Sequence, residues 1–254
     1  MPNKIYLLII LSIIIASCAG GDDKLDSPEK VYTKAMDYFA DEDYLDAKKY
    51  FDIIKLQYPA SKYAEYAQFY LAETEFAEGK YVMSAFNYNT LRRSYPSSKF
   101  AGESMFKAAL CYYRLSPAYD RDQEYTHKAI QMFKEIQYLN PSDSLTILSG
   151  TYIDTLRTKL ANRSFFTAEL YQKLSSPKSS ITYYQDVINN YDDTKYFEPA
   201  YFGKIKTLVK LRKYDEAIGL IDLYKRLFPS GENLNNLKEI ENKARQGRKD
   251  LTND

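Results

Sequence analysis

YLDAKKYFDIIKLQYPASKYA, residues 44–64, decides the fold, because a version of it returns four more times along the 254-residue chain. Aligned on Pro59, the later copies end at Pro96, Pro141, Asp192 and Pro229. Eight residues earlier stand Phe51, Tyr88, Phe133, Tyr184 and Ile221, and five earlier stand Ile54, Leu91, Ile136, Val187 and Tyr224. Twelve earlier the residue is always small: Ala47, Ser84, Ala129, Ser180 and Ala217. Steps of four and three along one apolar line describe one face of an α-helix, and a proline just past its end is a stop signal. Each copy is therefore read as the second helix of a repeat.

The first helices follow from the same marks. Twelve residues before Ala47, Ser84 and Ser180 lie Ala35, Ala72 and Ala168. In the third repeat the matching pair, Ala109 and Ala129, is 20 apart, which places an eight-residue insertion between the helices. In the fifth, Ile205 takes the small residue's place. Small residues at fixed spacing let two antiparallel helices approach closely. The pattern resembles the tetratricopeptide repeat. The resemblance implies an all-α fold: a right-handed superhelix of about five helix pairs, with a C-terminal capping helix built on Leu234, Leu237 and Ile240. The steps between marks, 37, 45, 51 and 37 residues, predict longer helices or loops in the middle repeats.

The amino end reads as a leader. One lysine, Lys4, precedes an apolar run from Ile5 to Ala16 that is too short for a permanent membrane span. Ile15-Ala16-Ser17-Cys18 then resembles the bacterial lipobox, which implies cleavage after residue 17 and lipid attachment at Cys18. Residues 18–27, small and charged, read as a tether to the first helix, whose start is marked by Ser27, Pro28 and Glu29. Without the leader the chain carries 34 basic and 34 acidic residues, a balance with no footprint for nucleic acid. Of two cysteines, Cys111 lies in an apolar helix and reads as a buried thiol, so the fold stands without disulfides.

The first three repeats carry a second helical stripe beside Ala35, Ala72 and Ala109. It contains Tyr32 and Phe39, then Tyr66, Phe69 and Phe76, then Phe106 and Tyr113. In tetratricopeptide proteins this stripe lines the concave side, so these aromatics are expected either to form a groove for an apolar peptide or to fill core between repeats. The insertion, Leu115 to Glu124, holds the cluster Asp120, Arg121, Asp122, and its length within a short-looped fold fits a binding or packing role.

Two longer runs, SPAYDRDQEYTHKAIQMF (116–133) and LRTKLANRSFFTAELY (156–171), resemble the family of outer-membrane assembly lipoproteins called BamD or ComL. The resemblance spans the mature chain. It implies a lipid-anchored scaffold on the periplasmic face of the outer membrane, binding a BamA-type barrel assembly protein through its carboxyl-terminal repeats and outer-membrane protein precursors through its amino-terminal ones. It places partner contacts at Asp120, Arg121, Asp122, Arg157, Lys159 and Glu169. The fourth repeat departs from the family pattern, with Leu174-Ser175-Ser176-Pro177 at the bend and Asp192 for the proline. Domains are accordingly expected at 28–144 and 145–254.

No component of a catalytic site is found. The single histidine, His127, sits between Thr126 and Lys128 and reads as solvated; there is no phosphate loop, no metal-spaced cluster and no nucleophile elbow. The sequence leaves two other readings for such a scaffold: a lipoprotein holding a different envelope complex, and a surface binder of nutrient ligands.

Overall fold

The computed structural model describes residues 27–139 and 144–253, so the leader, Cys18 and Pro141 lie outside the described residues. Eleven helices and no strand occur among them. They are α1 (Pro28–Ala40), α2 (Tyr44–Gln57), α3 (Tyr63–Ala77), α4 (Tyr81–Ser94), α5 (Ala101–Leu115), α6 (Glu124–Leu139), α7 (Ser144–Lys173), α8 (Pro177–Asn190), α9 (Phe197–Lys210), α10 (Tyr214–Leu227) and α11 (Leu234–Asn253). The five even-numbered helices up to α10 are the five copies of the repeated stretch. Every small residue that marks them, Ala47, Ser84, Ala129, Ser180 and Ala217, is fully buried. So are their partners Ala35, Ala72, Ala109, Ala168 and Ile205. The fold is all-α and made of tetratricopeptide-like helix pairs.

Four of the pairs close with one turn. A residue with positive φ, Glu42, Gly79, Ser175 or Arg212, stands two positions before the second helix. In each, the next amide reaches back five residues: Asp43 N to Tyr38 O (2.9 Å), Lys80 N to Glu75 O (2.8 Å), Ser176 N to Tyr171 O (2.9 Å) and Lys213 N to Leu208 O (3.0 Å). This is the Schellman arrangement, which satisfies carbonyls left over at a helix end. Only Gly79 has the residue type that adopts this conformation without strain.

The described residues form two compact units, one ending at Ser104 and the other beginning at Met105. The first contains α1 to α4. Its apolar core joins Val31 and Ala35 of α1 to Ala47, Phe51 and Ile54 of α2 and to Ala67 and Leu71 of α3. Rings fill the rest: Tyr38 stacks on Tyr50 at 5.4 Å, and Tyr32 on Tyr63 at 5.1 Å. Between α3 and α4 lies a buried polar layer. Gln68 Nε2 donates to Asn87 Oδ1 (2.9 Å) and O (3.0 Å), and Asn87 Nδ2 donates to Glu75 Oε2 (2.7 Å). Glu75 is 7% exposed, and burial pushes its carboxyl up from its ordinary value.

In the second unit, Phe106 and Ala109 of α5, Phe133 and Ile136 of α6, and Ile153 and Leu156 of α7 share one core cluster. The boundary expected after residue 144 therefore falls inside a packed core. The reason is α7: at 30 residues it packs its first half on α6 and, through Ala168, its second half on α8. This long helix and the eight residues 116–123 between α5 and α6 together supply the length read from spacing as longer helices or loops. At the far end α11 covers α9 and α10 through Leu237 and Ala244, both fully buried, the closing role expected of it.

Three substitutions test this packing. A Cβ at Gly203 would meet the ring and hydroxyl of Tyr184, which is itself buried, whereas one at Gly219 meets nothing within 4 Å. Gly203→Ala is expected to cost about 1–3 kcal/mol, and Gly219→Ala to gain roughly 0.5–1 kcal/mol; thermal unfolding read by circular dichroism checks both signs. For Glu75 the folded carboxyl titrates above the unfolded one, so the penalty of ionising it is absent below the unfolded value and grows as pH rises through the folded one. Glu75→Gln, which can keep the Asn87 bond, should melt above the parent near neutral pH, with the gap closing at about pH 4.

Candidate interaction surfaces

The eight residues between α5 and α6, 116–123, are pinned from three directions. Gln123, 3% exposed, folds under the loop and donates from Nε2 to Ala118 O (2.8 Å) and Arg121 O (2.9 Å), while its Oε1 accepts from Thr126 Oγ1 (2.7 Å). Lys159 of α7 donates to Ser116 Oγ (2.7 Å) and Pro117 O (3.1 Å). Burial lowers the pKa of that ammonium. Arg163, one turn on, donates to Arg121 O (2.9 Å). A loop held this way has lost its entropy before any partner arrives.

The pinned loop and α7 enclose a groove of about 420 Å³ lined by Tyr119, Asp120, Arg163, Phe166, Thr167 and Leu170. Its apolar members are open to solvent: Tyr119 is 40%, Phe166 44% and Leu170 52% exposed. Tyr119 and Phe166 face each other at 6.0 Å between ring centroids. Two rings and a leucine set beside Asp120, Arg163 and Thr167 suit a protein segment that brings a large apolar side chain flanked by polar groups.

The expected partner contacts divide. Asp120, Arg121 and Asp122 are exposed on the loop. Lys159, as above, is spent on the loop itself. Arg157 is spent too: its guanidinium grips Asp193 through two bonds of 2.6 Å, donates to Asn190 O at 2.7 Å and lies over the Tyr191 ring at 5.5 Å. The ion pair raises the arginine and holds the Asp193 carboxyl below its ordinary range. Arg157 and Lys159 therefore act inside the chain, one tying α7 to the α8–α9 turn and the other tying it to the loop. Glu169 lines a separate pocket of about 260 Å³ with Phe165, Gln172, Tyr184 and Lys206. Burial, followed by the Glu169 charge, pushes the Tyr184 phenol up to about 12.

The aromatic stripe also divides. Phe69 and Phe106, 5% and 7% exposed, are core side chains and not groove lining. Phe69 stacks on Phe100 at 4.3 Å, and Phe106 lies against Phe133 and Tyr152 at 5.8 and 6.0 Å. The i, i+3 step that predicts a shared face also turns these rings toward the next helix along. Tyr32, Phe39, Tyr66 and Phe76 in the first unit, and Tyr113 in the second, remain half-buried. Tyr66 meets Phe100 edge-on at 5.2 Å under the Lys99 ammonium, Phe76 meets Tyr81 at 5.3 Å, and Tyr113 meets Tyr152 at 4.7 Å. Sequence reasoning missed Tyr119, Arg163, Phe166 and Leu170 as a set. The available signal was Phe166 and Leu170, one turn apart on α7 and off the line of Leu156, Leu160 and Ala168. Among the described residues no group of three His, Cys, Asp or Glu side chains is placed to hold a metal ion, and no helix is long and apolar enough to cross a membrane.

Helix pairs around small buried residues, with a pinned loop opening a groove, define a helical-repeat protein of the tetratricopeptide type. The chain belongs to the outer membrane lipoprotein family YfiO, whose model matches residues 24–218. It is similar to the outer membrane protein assembly factor BamD of Rickettsia prowazekii (strain Madrid E), at 24% identity over 223 residues, covering 85% of this chain and 88% of that one. Among solved structures it resembles the P58(IPK) TPR domain, with TM-score 0.44, 15% identity and coverage of 89% of this chain and 67% of that one. A thermophilic TPR protein of Thermus thermophilus gives TM-score 0.36 at 16% identity, over 86% of this chain and 98% of that one.

The loop should fail first at its buried amide. Gln123→Ala removes three hydrogen bonds from beneath the loop, a cost of about 1–3 kcal/mol. Hydrogen exchange at residues 118–122 is expected to quicken more than at α9 or α10.

Proposed function

We propose that the chain is a non-enzymatic scaffold of the machinery that inserts β-barrel proteins into the outer membrane, anchored by lipid on Cys18. The observation that carries this reading is the family match over residues 24–218, together with a relative named as an assembly factor. The part that binds a BamA-type barrel assembly protein is the second unit. There the groove of Tyr119, Phe166 and Leu170 offers exposed apolar area on a loop already ordered, the condition under which contact area turns into affinity. Asp120 stands at its rim and Arg121 and Asp122 follow on the exposed loop, where exposed charges steer approach more than they hold the complex. Arg157 and Lys159 support that surface from within, and Glu169 marks the neighbouring pocket.

The half-buried rings of the first unit, Tyr32, Phe39, Tyr66 and Phe76, are the part assigned to outer-membrane protein precursors, with Tyr113 the corresponding ring of α5. Tyrosine and phenylalanine offer large contact area at small entropic cost, which suits transient capture of unfolded chains rich in apolar side chains. The scaffold holds two partners and performs no bond chemistry.

A photocrosslinking residue at position 166 in cells tests the partner assignment. The expected product joins this chain to an outer-membrane barrel protein with periplasmic domains; crosslinks only to other proteins would overturn it. Phe166→Glu with Leu170→Glu should reduce co-purification of that partner by about tenfold or more, while the melting temperature moves by no more than a few degrees, since both side chains are half-exposed already.

A further inference from the structure

Large apolar side chains left exposed among the described residues of the first unit all lie on second helices: Leu45 and Leu56 on α2, and Val82, Met83 and Phe86 on α4. The α4 group is a cluster. Val82, Met83 and Phe86 stand within one turn and are 54%, 50% and 56% exposed, on the side opposite the buried Ser84, Tyr88 and Leu91. The same outward line continues toward the helix end. Thr90 Oγ1 donates to Phe86 O at 2.9 Å, and Arg93 NH2 donates to Thr90 Oγ1 at 3.3 Å.

Charge separates α4 from its equivalents. Every other second helix carries acidic residues: Asp46 and Asp52 on α2, Glu124 and Glu135 on α6, Asp186 on α8, and Asp215, Glu216 and Asp222 on α10. Its own sequence, YVMSAFNYNTLRRS, has none. Lys80 precedes it, and Arg92 and Arg93 occupy its last turn. Lys80 is shared with Glu78 at 2.8 Å, whereas the bond from Arg93 goes to a neutral hydroxyl. An apolar ridge with cations at its ends is the chemistry of helices that lie in the interface of an anionic lipid surface.

The tether limits where that surface is. Nine peptide steps separate Cys18 from Ser27, about 30 Å when fully extended. The unit that begins at Ser27 therefore stays beside the membrane holding the lipid. We propose that the outward face of α4, through Val82, Met83 and Phe86 with Arg93, rests on the phospholipid surface to which Cys18 tethers the chain. The inference rests on lipid attachment at Cys18. Contacts too weak to bind a free protein suffice here, because the anchor makes the second contact intramolecular. The consequence is orientational: one side of the first unit is turned to lipid and its other sides to the periplasm.

The chain contains no tryptophan, so Phe86→Trp in the full lipidated protein gives a single reporter. The variant is reconstituted into anionic phospholipid vesicles whose acyl chains carry bromine near the headgroup. Flotation with the vesicles reports anchoring, and indole quenching reports the face. The expected result is flotation with emission quenched by roughly twofold or more at interfacial depth. Adding Val82→Asp and Met83→Asp should abolish quenching without affecting flotation. Floated protein with a water-exposed, unquenched indole would overturn the proposal. So would a blue-shifted but unquenched indole, which means a protein surface or a second copy covers the face. Failure to float would overturn the anchoring beneath it.

Discussion

Close approach of two helices at a small, fully buried residue is the contact on which this structure depends. Ala35 against Ala47 and Ala109 against Ala129 leave room for one ring or branched side chain per turn, and Phe51, Tyr88, Phe133, Tyr184 and Ile221 take that place. A larger residue at the seam would force the helices apart and open the space around those rings; interiors packed at crystal density do not absorb such changes. A repeated seam builds this core from side-chain packing among the described residues. Each pair adds the same buried layer, and the last is closed by α11.

Polar groups are built into this apolar plan where a loop or a surface must be held. In the second unit one buried glutamine and one partly buried lysine fix the 116–123 loop against α7, and an arginine on the same helix fixes the α8–α9 turn. Both cations are engaged within the chain, Arg157 with a carboxylate and Lys159 with neutral oxygens of the loop. The groove beside them is lined by Tyr119, Phe166 and Leu170 together with Asp120, Arg163 and Thr167.

The helix pairs were legible because period and punctuation agree: apolar residues at steps of four and three, a small residue at constant offset, and a proline or aspartate after the end. The Schellman turns were not, because Glu42, Ser175 and Arg212 do not announce a positive φ as Gly79 does. The single long α7 was not legible either, since a 30-residue helix carries two faces in two directions and its sequence shows no break. In the candidate surfaces the limit was rotational. Spacing placed Phe69 and Phe106 on a shared stripe with Tyr32 and Tyr66, yet a few tens of degrees around a helix separate a groove from a core. Likewise the family resemblance pointed to residues 157 and 159, while Arg163, Phe166, Thr167 and Leu170 further along the same helix line the opening.

The central claim is that this scaffold works as part of a complex at the outer membrane, and isolation of that complex tests it most directly. The tagged, lipidated chain is purified from envelope membranes in mild detergent and its companions are identified by mass. The account predicts an outer-membrane barrel protein with periplasmic domains in near-stoichiometric amount. Recovery of the chain alone, or with a complex that contains no barrel assembly protein, would contradict it.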